Sequence, residues 1–333
     1  MTENDIILDN MTAPDKAERK KLRRLYNKVG GAMTIQYVLL YALYLLLTIL
    51  LSPFMTEETN PETGAEIVGW AEEFAMYFAP ALASAIMFFA FNAVNKVNSR
   101  AMFKTDGITC GILGRCVLMA FAFHMIGLAL EYGVDFVLYS GGYEVTSFDY
   151  ETKNDAATLI IDVISSVIAA PIAEEMFFRG VVLKQTSRVS ARFGIFFSAL
   201  MFGLMHGNPY QFVMATVIGI YFGYITVKYD SLIPSIVCHI AINGMMTIGD
   251  VIGFFNEELS DLSFAAVYAA ELLLGILGVW LYRKIGEKAK LPPYTEYHKK
   301  RTLPIVITSV WVIIVTILYI YDIVMSVEPI GVL

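Results

Sequence analysis

Eight long apolar runs constrain this chain more than any other feature of its sequence. Each is about 18 residues long or longer, which is the length that an α-helix needs to cross the hydrocarbon core of a bilayer. A ninth run, 193–207, is shorter. The eight long runs lie near 33–52, 70–91, 107–130, 156–178, 210–227, 231–250, 263–282 and 303–321.

The apolar runs predict both the fold class and the surroundings of the chain. A bilayer offers no hydrogen-bond partner to an exposed backbone, so spans of this length must be helices. The apolar share of the sequence, 57%, exceeds the roughly 45–50% of soluble domains. We therefore expect an all-α fold, a polytopic transmembrane helical bundle of about eight or nine spans. We expect the lipid bilayer as a partner and no nucleic acid.

Basic residues predict the orientation of the bundle. When the spans alternate in direction, 22 of the 24 Lys and Arg residues fall on the same side as the amino terminus. Lys153 falls on the other side and Arg115 lies within a span. Loops on the other side are acidic. Because cytoplasmic loops of membrane proteins are enriched in Lys and Arg, the amino terminus is predicted to be cytoplasmic.

The remaining polar segments divide the chain. Residues 1–30 are basic and polar, and we interpret them as a disordered cytoplasmic tail. Residues 31–325 are predicted to form the transmembrane bundle. Within it, the segment 180–192 alternates apolar and basic residues, which predicts a position along the cytoplasmic interface.

A few polar residues inside apolar runs receive structural interpretations. Asp162 and Glu271 lie within such runs and Arg115 lies near the end of one. An ion pair between an interior carboxylate and an arginine is the expected contact. His124 is interpreted as a helix-packing residue.

Two adjacent carboxylates, Glu174 and Glu175, close an apolar run. An ionised side chain at the centre of a bilayer costs roughly 2.5 kcal/mol or more, so such residues are usually functional. Glu175 and Arg179 are four residues apart and share a helical face, which predicts an ion pair. Glu174 points about 100° away from Glu175 and is left to react. The alternative is a helix end at the interface, where these side chains meet water.

Two histidines in later runs extend this pattern. His239 and Asn243 are four residues apart on one predicted helix, so an imidazole and an amide lie side by side. Such donors can hold the oxyanion of a tetrahedral intermediate. His206 can orient the water molecule that Glu174 deprotonates.

The simple topology separates two of these residues. It places Glu174 and His206 about 10 Å apart in depth, whereas water activation requires contacts of about 3 Å. The break at residues 206–209, His-Gly-Asn-Pro, predicts that the short run 193–207 tilts or re-enters and so closes the gap.

Three motifs resemble those of the CAAX-protease and bacteriocin-processing family, also called the Abi family. The resemblance covers about residues 170–245, within a predicted catalytic core of about 156–250. It implies an intramembrane endopeptidase that hydrolyses a peptide bond of a membrane-associated peptide or lipidated protein. The motifs are Glu174-Glu175-x-x-x-Arg179, Phe202-x-x-x-His206 and His239-x-x-x-Asn243.

The resemblance also implies roles for the motif residues. Glu174 and His206 would activate water, and His239 and Asn243 would form the oxyanion hole. No cofactor is favoured, although zinc held by Glu174, His206 and His239 is the alternative. The resemblance favours a bacterial cell membrane, or the endoplasmic reticulum if the source is eukaryotic.

Two non-enzymatic interpretations stay open at this point. One is an immunity or scaffold membrane protein of the same family that binds a peptide or partner without cleaving it. The other is a proton-coupled transporter with a carboxylate–imidazole relay, which predicts inverted repeats; the sequence contains none that we can detect. The oligomeric state is left open.

Overall fold

Helices make up most of the chain. The computed structural model describes residues 16–56, 58–61, 65–146, 150–285 and 302–330. In chain order the helices of this part of the chain are α1 (Lys16–Leu51), α2 (Trp70–Val94), α3 (Cys110–Ser140), α4 (Ala156–Thr186), α5 (Ala191–Leu204), α6 (Pro209–Tyr229), α7 (Ile233–Phe255), α8 (Ser260–Ile285), α9 (Thr302–Val306) and α10 (Val310–Met325).

Short strands tie several helix ends together. They are β1 (Glu58–Thr59), β2 (Glu66–Val68), β3 (Tyr143–Val145), β4 (Tyr150–Thr152) and β5 (Val327–Pro329). β2 pairs antiparallel with β1 and parallel with β4, while β3 pairs antiparallel with β5. These strands follow α1, α3 and α10 and precede α2 and α4, so those helix ends meet at one end of the bundle, which we call the strand end.

The predicted fold class is confirmed. Seven helices, α1 to α4 and α6 to α8, are long and apolar enough to cross a membrane, and α5 and α10 are shorter apolar helices. The protein is an integral, multi-pass membrane protein with an all-α fold. How many helices cross the bilayer, and on which side the amino terminus lies, stay predictions.

Helix α1 begins earlier than the sequence suggested. It starts at Lys16, and Leu22, Tyr26 and Val29 are buried. The Tyr26 ring packs edge-on against Phe197 at 5.9 Å between centroids. The prediction of a disordered tail over residues 1–30 is therefore wrong for residues 16–30, because one face of this basic segment is apolar. Residues 1–15 lie outside the described residues.

Helix α4 is packed against several others and positions the functional residues. α2 contacts its central turns, and α5 and α7 contact it on either side of these turns. The segment 180–192 is not a separate interfacial helix, because α4 continues to Thr186 and Val181 to Leu183 are buried against other helices; its depth in the bilayer stays a prediction. Gly180 allows this packing, since a Cβ there would lie 2.6 Å from the Phe88 ring.

The contact between α5 and α6 depends on another glycine. A Cβ on Gly203 would lie 2.5 Å from the Phe212 carbonyl oxygen, which is part of the α6 backbone. Overpacking of this kind costs typically 1–3 kcal/mol. We predict that Gly203→Ala lowers the thermal unfolding temperature of the detergent-solubilised protein. Gly133→Ala is the control, because nothing lies within 4 Å of a Cβ there; an unchanged unfolding temperature in Gly203→Ala would contradict the close packing.

Candidate active site

Helix α4 changes its winding on either side of the two adjacent carboxylates. Val163–Ala169 and Phe178–Leu183 are π-helical, and the turns between them, Ala170–Phe177, are α-helical. π-Helical turns are rare and occur mostly at functional sites. Pro171 lies just after the first of these segments and brings no backbone N–H to it.

The missing N–H explains a contact between α4 and α7. In the first π segment the Ala170 N–H donates to the Ser165 carbonyl, five residues back. The next carbonyl, that of Ser166, would accept from residue 171 in the same register, but Pro171 has no donor. Asn243 supplies one instead, because its Nδ2 donates to the Ser166 oxygen at 2.7 Å. One side-chain amide hydrogen of Asn243 is thereby used and the second is left for another acceptor.

Glu175 lies in a buried charged network. Its Oε1 is 2.8 Å from Arg179 Nη1, and both side chains are completely buried, with 0% exposure. The ion pair predicted from the i, i+4 spacing is therefore present, and the alternative of a helix end in water is wrong. The same Oε1 lies 3.2 Å from Nδ1 of His239 on α7. Glu175 thus joins α4 to α7.

Aromatic rings and a carbonyl enclose the guanidinium of Arg179. Its Cζ lies 4.4 Å from the centre of the Phe202 ring on α5 and 5.4 Å from that of Phe222 on α6. Its Nη2 donates to the Gly219 carbonyl at 3.3 Å. Cations are attracted to aromatic faces, most strongly where water is excluded. Arg179 therefore holds α4, α5 and α6 together around the site.

Glu174 has a different environment from its neighbour. Its side chain is 15% exposed, and its Oε2 lies 3.9 Å from Nε2 of His239, whose side chain is 10% exposed. The two nitrogens of His239 therefore face the two carboxylates of α4, Nδ1 towards Glu175 and Nε2 towards Glu174. Glu174 is the carboxylate that remains accessible for a reaction.

His206 follows the end of α5 and turns back onto it. Its Nδ1 is 2.8 Å from the Phe202 carbonyl oxygen. A carbonyl only accepts, so Nδ1 carries the proton and the neutral ring presents the lone pair of Nε2. The Phe202 ring lies edge-on to the rings of His206, at 4.9 Å, and of His239, at 5.9 Å. His206 is also within range of electrostatic interaction with Glu174 and His239.

The path of α5 brings His206 back towards Glu174. Four residues connect α4 to α5, and Ser190 caps the new helix through Phe193 N–H. α5 then returns along α4, and Ser198 Oγ on α5 donates to the Phe178 carbonyl on α4 at 2.9 Å. After 14 residues it ends, and the chain turns at Gly207 with φ of 70°. α5 is thus shorter than the seven candidate spans, and it leads directly to His206.

A comparison with known protein families covers this whole site. Residues 156–245 match the family model described as type II CAAX prenyl endopeptidase Rce1-like. Over these residues the chain is similar to the CAAX-protease family that the three motifs suggested. No curated protein and no solved structure matches the chain. The matched segment begins with α4 and ends within α7, so α1 to α3 and α8 to α10 lie outside it.

Sequence reasoning about this core missed the residues that support its motifs. It did not single out Phe222, the Gly219 carbonyl or the partnership of Pro171 with Asn243. The Phe-x-x-x-His motif did include Phe202. Pro171, one turn before Glu174 and Glu175, could have predicted the altered winding of α4, because a proline inside a helix disturbs its hydrogen bonds.

One contact away from the site corrects an expectation. An interior carboxylate was expected to pair with an arginine, but Glu271 Oε1 lies 2.7 Å from His124 Nδ1, and both side chains are buried. His124 therefore links α3 to α8. It does this as a hydrogen-bonding residue and not through packing alone.

The described residues contain no preformed cluster for a metal ion. No group of three or more His, Cys, Asp or Glu side chains in these segments comes together in a way that could hold one. Two of the three ligands named for zinc, Glu174 and His239, lie 3.9 Å apart. Carboxylates and imidazoles are nonetheless ordinary zinc ligands. Cleavage measured with and without a chelator tests whether the activity depends on zinc.

We predict a selective effect of Pro171→Ala. The new N–H would compete for the Ser166 carbonyl, and Asn243 would lose the acceptor that fixes its side chain. If Asn243 is an oxyanion donor, as the motif resemblance implies, loosening it should cost part of the roughly 10²–10³-fold in kcat that removal of such a donor costs, with little change in KM. Steady-state peptide cleavage measures this, with Pro80→Ala in α2 as the control. Unchanged kcat would show that Pro171 does not position Asn243.

Proposed function

We propose that this chain hydrolyses a peptide bond of a membrane-associated, possibly lipid-modified peptide or protein by means of a water molecule that Glu174 activates. A CAAX-protease-like intramembrane peptidase is supported in general by the family match. The observation that carries the finer proposal is the meeting of Glu174, His206 and His239 from α4, the end of α5 and α7.

Glu174 and His206 are the proposed water-activating pair. Glu174 is partly accessible and forms no ion pair with an arginine among the described residues, whereas Glu175 pairs with Arg179. Nε2 of His206 presents a lone pair that can accept a hydrogen bond from water. Glu174 removes a proton from that water as the water oxygen adds to the peptide carbonyl carbon. The tetrahedral intermediate then collapses, the C–N bond breaks, and Glu174 passes the proton to the leaving amine nitrogen.

His239 and Asn243 are the proposed oxyanion donors. A doubly protonated His239 can donate through Nδ1 to Glu175 and through Nε2 to the oxyanion, and the flanking carboxylates of Glu174 and Glu175 balance its charge. Asn243 contributes the amide hydrogen that Ser166 does not use. Donors fixed in a site that excludes water stabilise a developing negative charge more strongly than donors in water.

Glu175 and Arg179 are proposed to hold this geometry without touching the substrate. They are fully buried, and their ion pair reaches α7 through His239 and α6 through the Gly219 carbonyl. A buried ion pair of this kind fixes orientation more than it adds stability.

The experiment that tests the proposal is peptide cleavage by detergent-purified protein. The full chain is incubated with a library of peptides, half of them farnesylated, with and without a zinc chelator, and the product masses give the cleaved bond. We expect cleavage in the presence of the chelator. Loss of cleavage that added zinc restores would replace the glutamate mechanism by a zinc mechanism, whereas peptide binding without cleavage would favour the immunity or scaffold function.

A further inference from the structure

A cavity lies at the strand end, away from the motif residues. Its volume is about 430 Å³, and it is lined by α2, by the start of α4, and by the end of α7 and the segment that follows it. Five carboxylates line it: Glu73, Asp155, Asp162, Asp250 and Glu257. One ammonium group, that of Lys153, also lines it, and this group is 3.5 Å from Glu58.

One of the carboxylates is buried with an oxygen unused. Glu73 is only 2% exposed. Its Oε1 accepts from Thr152 Oγ1 at 3.2 Å, but its Oε2 has no hydrogen-bond partner among the described residues. Buried polar atoms are almost always hydrogen-bonded, so an unused carboxylate oxygen on a cavity wall calls for a donor from elsewhere.

The other carboxylates can add negative charge, and Lys153 carries the one ammonium group among the described lining residues. Asp162 is within range of electrostatic interaction with both Glu73 and Asp250. Asp155 caps α4, and the backbone N–H of Thr158 holds the pKa of that carboxyl below its ordinary value, so it is ionised at neutral pH. Carboxylates near one another disfavour each other's ionised forms, and a bound cation offsets that cost.

The chemistry of the lining favours an organic cation over a metal ion. The described residues include no group of carboxylates arranged to ligate a metal. Two aromatic residues, Tyr77 and Phe254, also line the cavity. Carboxylates together with aromatic faces are typical of sites for ammonium and guanidinium groups.

The cavity and the active site share two walls. Asp162 lies one turn before Ser166 on α4, and Ser166 accepts from Asn243 on α7. Asp250 lies seven residues beyond Asn243 on the same face of α7, about 10 Å along the helix. An extended peptide covers that distance in about three residues.

We infer that this cavity binds a basic side chain of the substrate, a lysine or arginine about three residues from the scissile bond. The inference rests on the proposed function, because it places a peptide in the active site. It assigns to Asp162 and Asp250 the selection of substrate and leaves the chemistry to the motif residues.

The test uses peptides with one lysine. A series of neutral ten-residue peptides carries the lysine at successive positions, each paired with a norleucine peptide, and kcat/KM is measured with the full chain. We expect lysine to raise kcat/KM at least about tenfold at one position about three residues from the cleaved bond. Asp162→Asn/Asp250→Asn should abolish that preference, and the control Glu258→Gln/Asp261→Asn, exposed at the same end, should keep it.

A binding measurement separates failure of this inference from failure of the proposed function. The fluorescein-labelled lysine and norleucine peptides are titrated into Glu174→Gln protein, with and without the two cavity substitutions. Lysine-selective binding lost with Asp162→Asn/Asp250→Asn supports the cavity even if nothing is cleaved. Cleavage with no lysine preference, or a preference that survives the substitutions, would overturn the inference and leave the peptidase intact. Equal binding of both peptides together with displacement by millimolar Mg²⁺ would assign the cavity to an inorganic cation and also overturn it.

Discussion

Replacing Glu174 with glutamine should lower the peptidase rate by about 10³-fold and leave the bundle folded. Glutamine has the shape of glutamate but cannot take a proton from water. The substitution leaves no buried charge behind, because Glu174 is partly exposed and Arg179 is paired with Glu175. A large loss of rate without a loss of stability is therefore the expected result.

Single-turnover cleavage with excess enzyme measures the rate, and thermal unfolding in detergent measures the fold. Glu66→Gln is the matched control, since Glu66 is an exposed carboxylate in β2. A Glu174→Gln protein that cleaves within about tenfold of the wild-type rate would be incompatible with general-base catalysis by this residue.

Arg179→Met should have the largest effect on stability. Methionine fills much of the space between the Phe202 and Phe222 rings. It leaves Glu175 buried and without the positive charge that Arg179 supplies. Removing one member of a buried ion pair costs about 3–5 kcal/mol. We expect a marked fall in the thermal unfolding temperature. We also expect loss of cleavage, because Glu175 is no longer held in place by Arg179 and so no longer orients His239.

A double substitution distinguishes the unpaired charge from simple loss of packing. Glu175→Gln/Arg179→Met removes both charges and should recover much of the stability, because replacing a buried ion pair by uncharged groups is often neutral. Arg100→Met, at an exposed position, should change little. If the double variant were as unstable as Arg179→Met, the packing of the guanidinium and not the charge of Glu175 would dominate.

The sequence predicted the ion pair of Glu175 and Arg179 because helical spacing alone brings such residues together. It also placed His239 beside Asn243 for the same reason. It could not place α4 against α7, since Ser166 and Asn243 are 77 residues apart and meet only after the helices pack. Local periodicity carries no information about such distant contacts.

The ends of the helices were less predictable than their existence. Basic residues after Phe178 suggested an interface, yet α4 continues to Thr186, because Arg179 is satisfied inside by Glu175 and the Gly219 carbonyl. Likewise the basic composition of residues 16–30 concealed the apolar face that packs Tyr26. In both places tertiary partners compensate for charges that would otherwise mark a boundary.

The most direct test of the account is a double-mutant cycle on Glu174 and His239, whose side chains lie 3.9 Å apart. Single-turnover rates are measured for Glu174→Gln, His239→Gln and the double variant, with each fold verified by thermal unfolding. Residues that act as one catalytic unit have strongly non-additive effects. We predict that the double variant retains the residual rate of Glu174→Gln. A further loss of about 10²-fold or more in the double variant would show that the two residues act independently, and would contradict a single site built from α4 and α7.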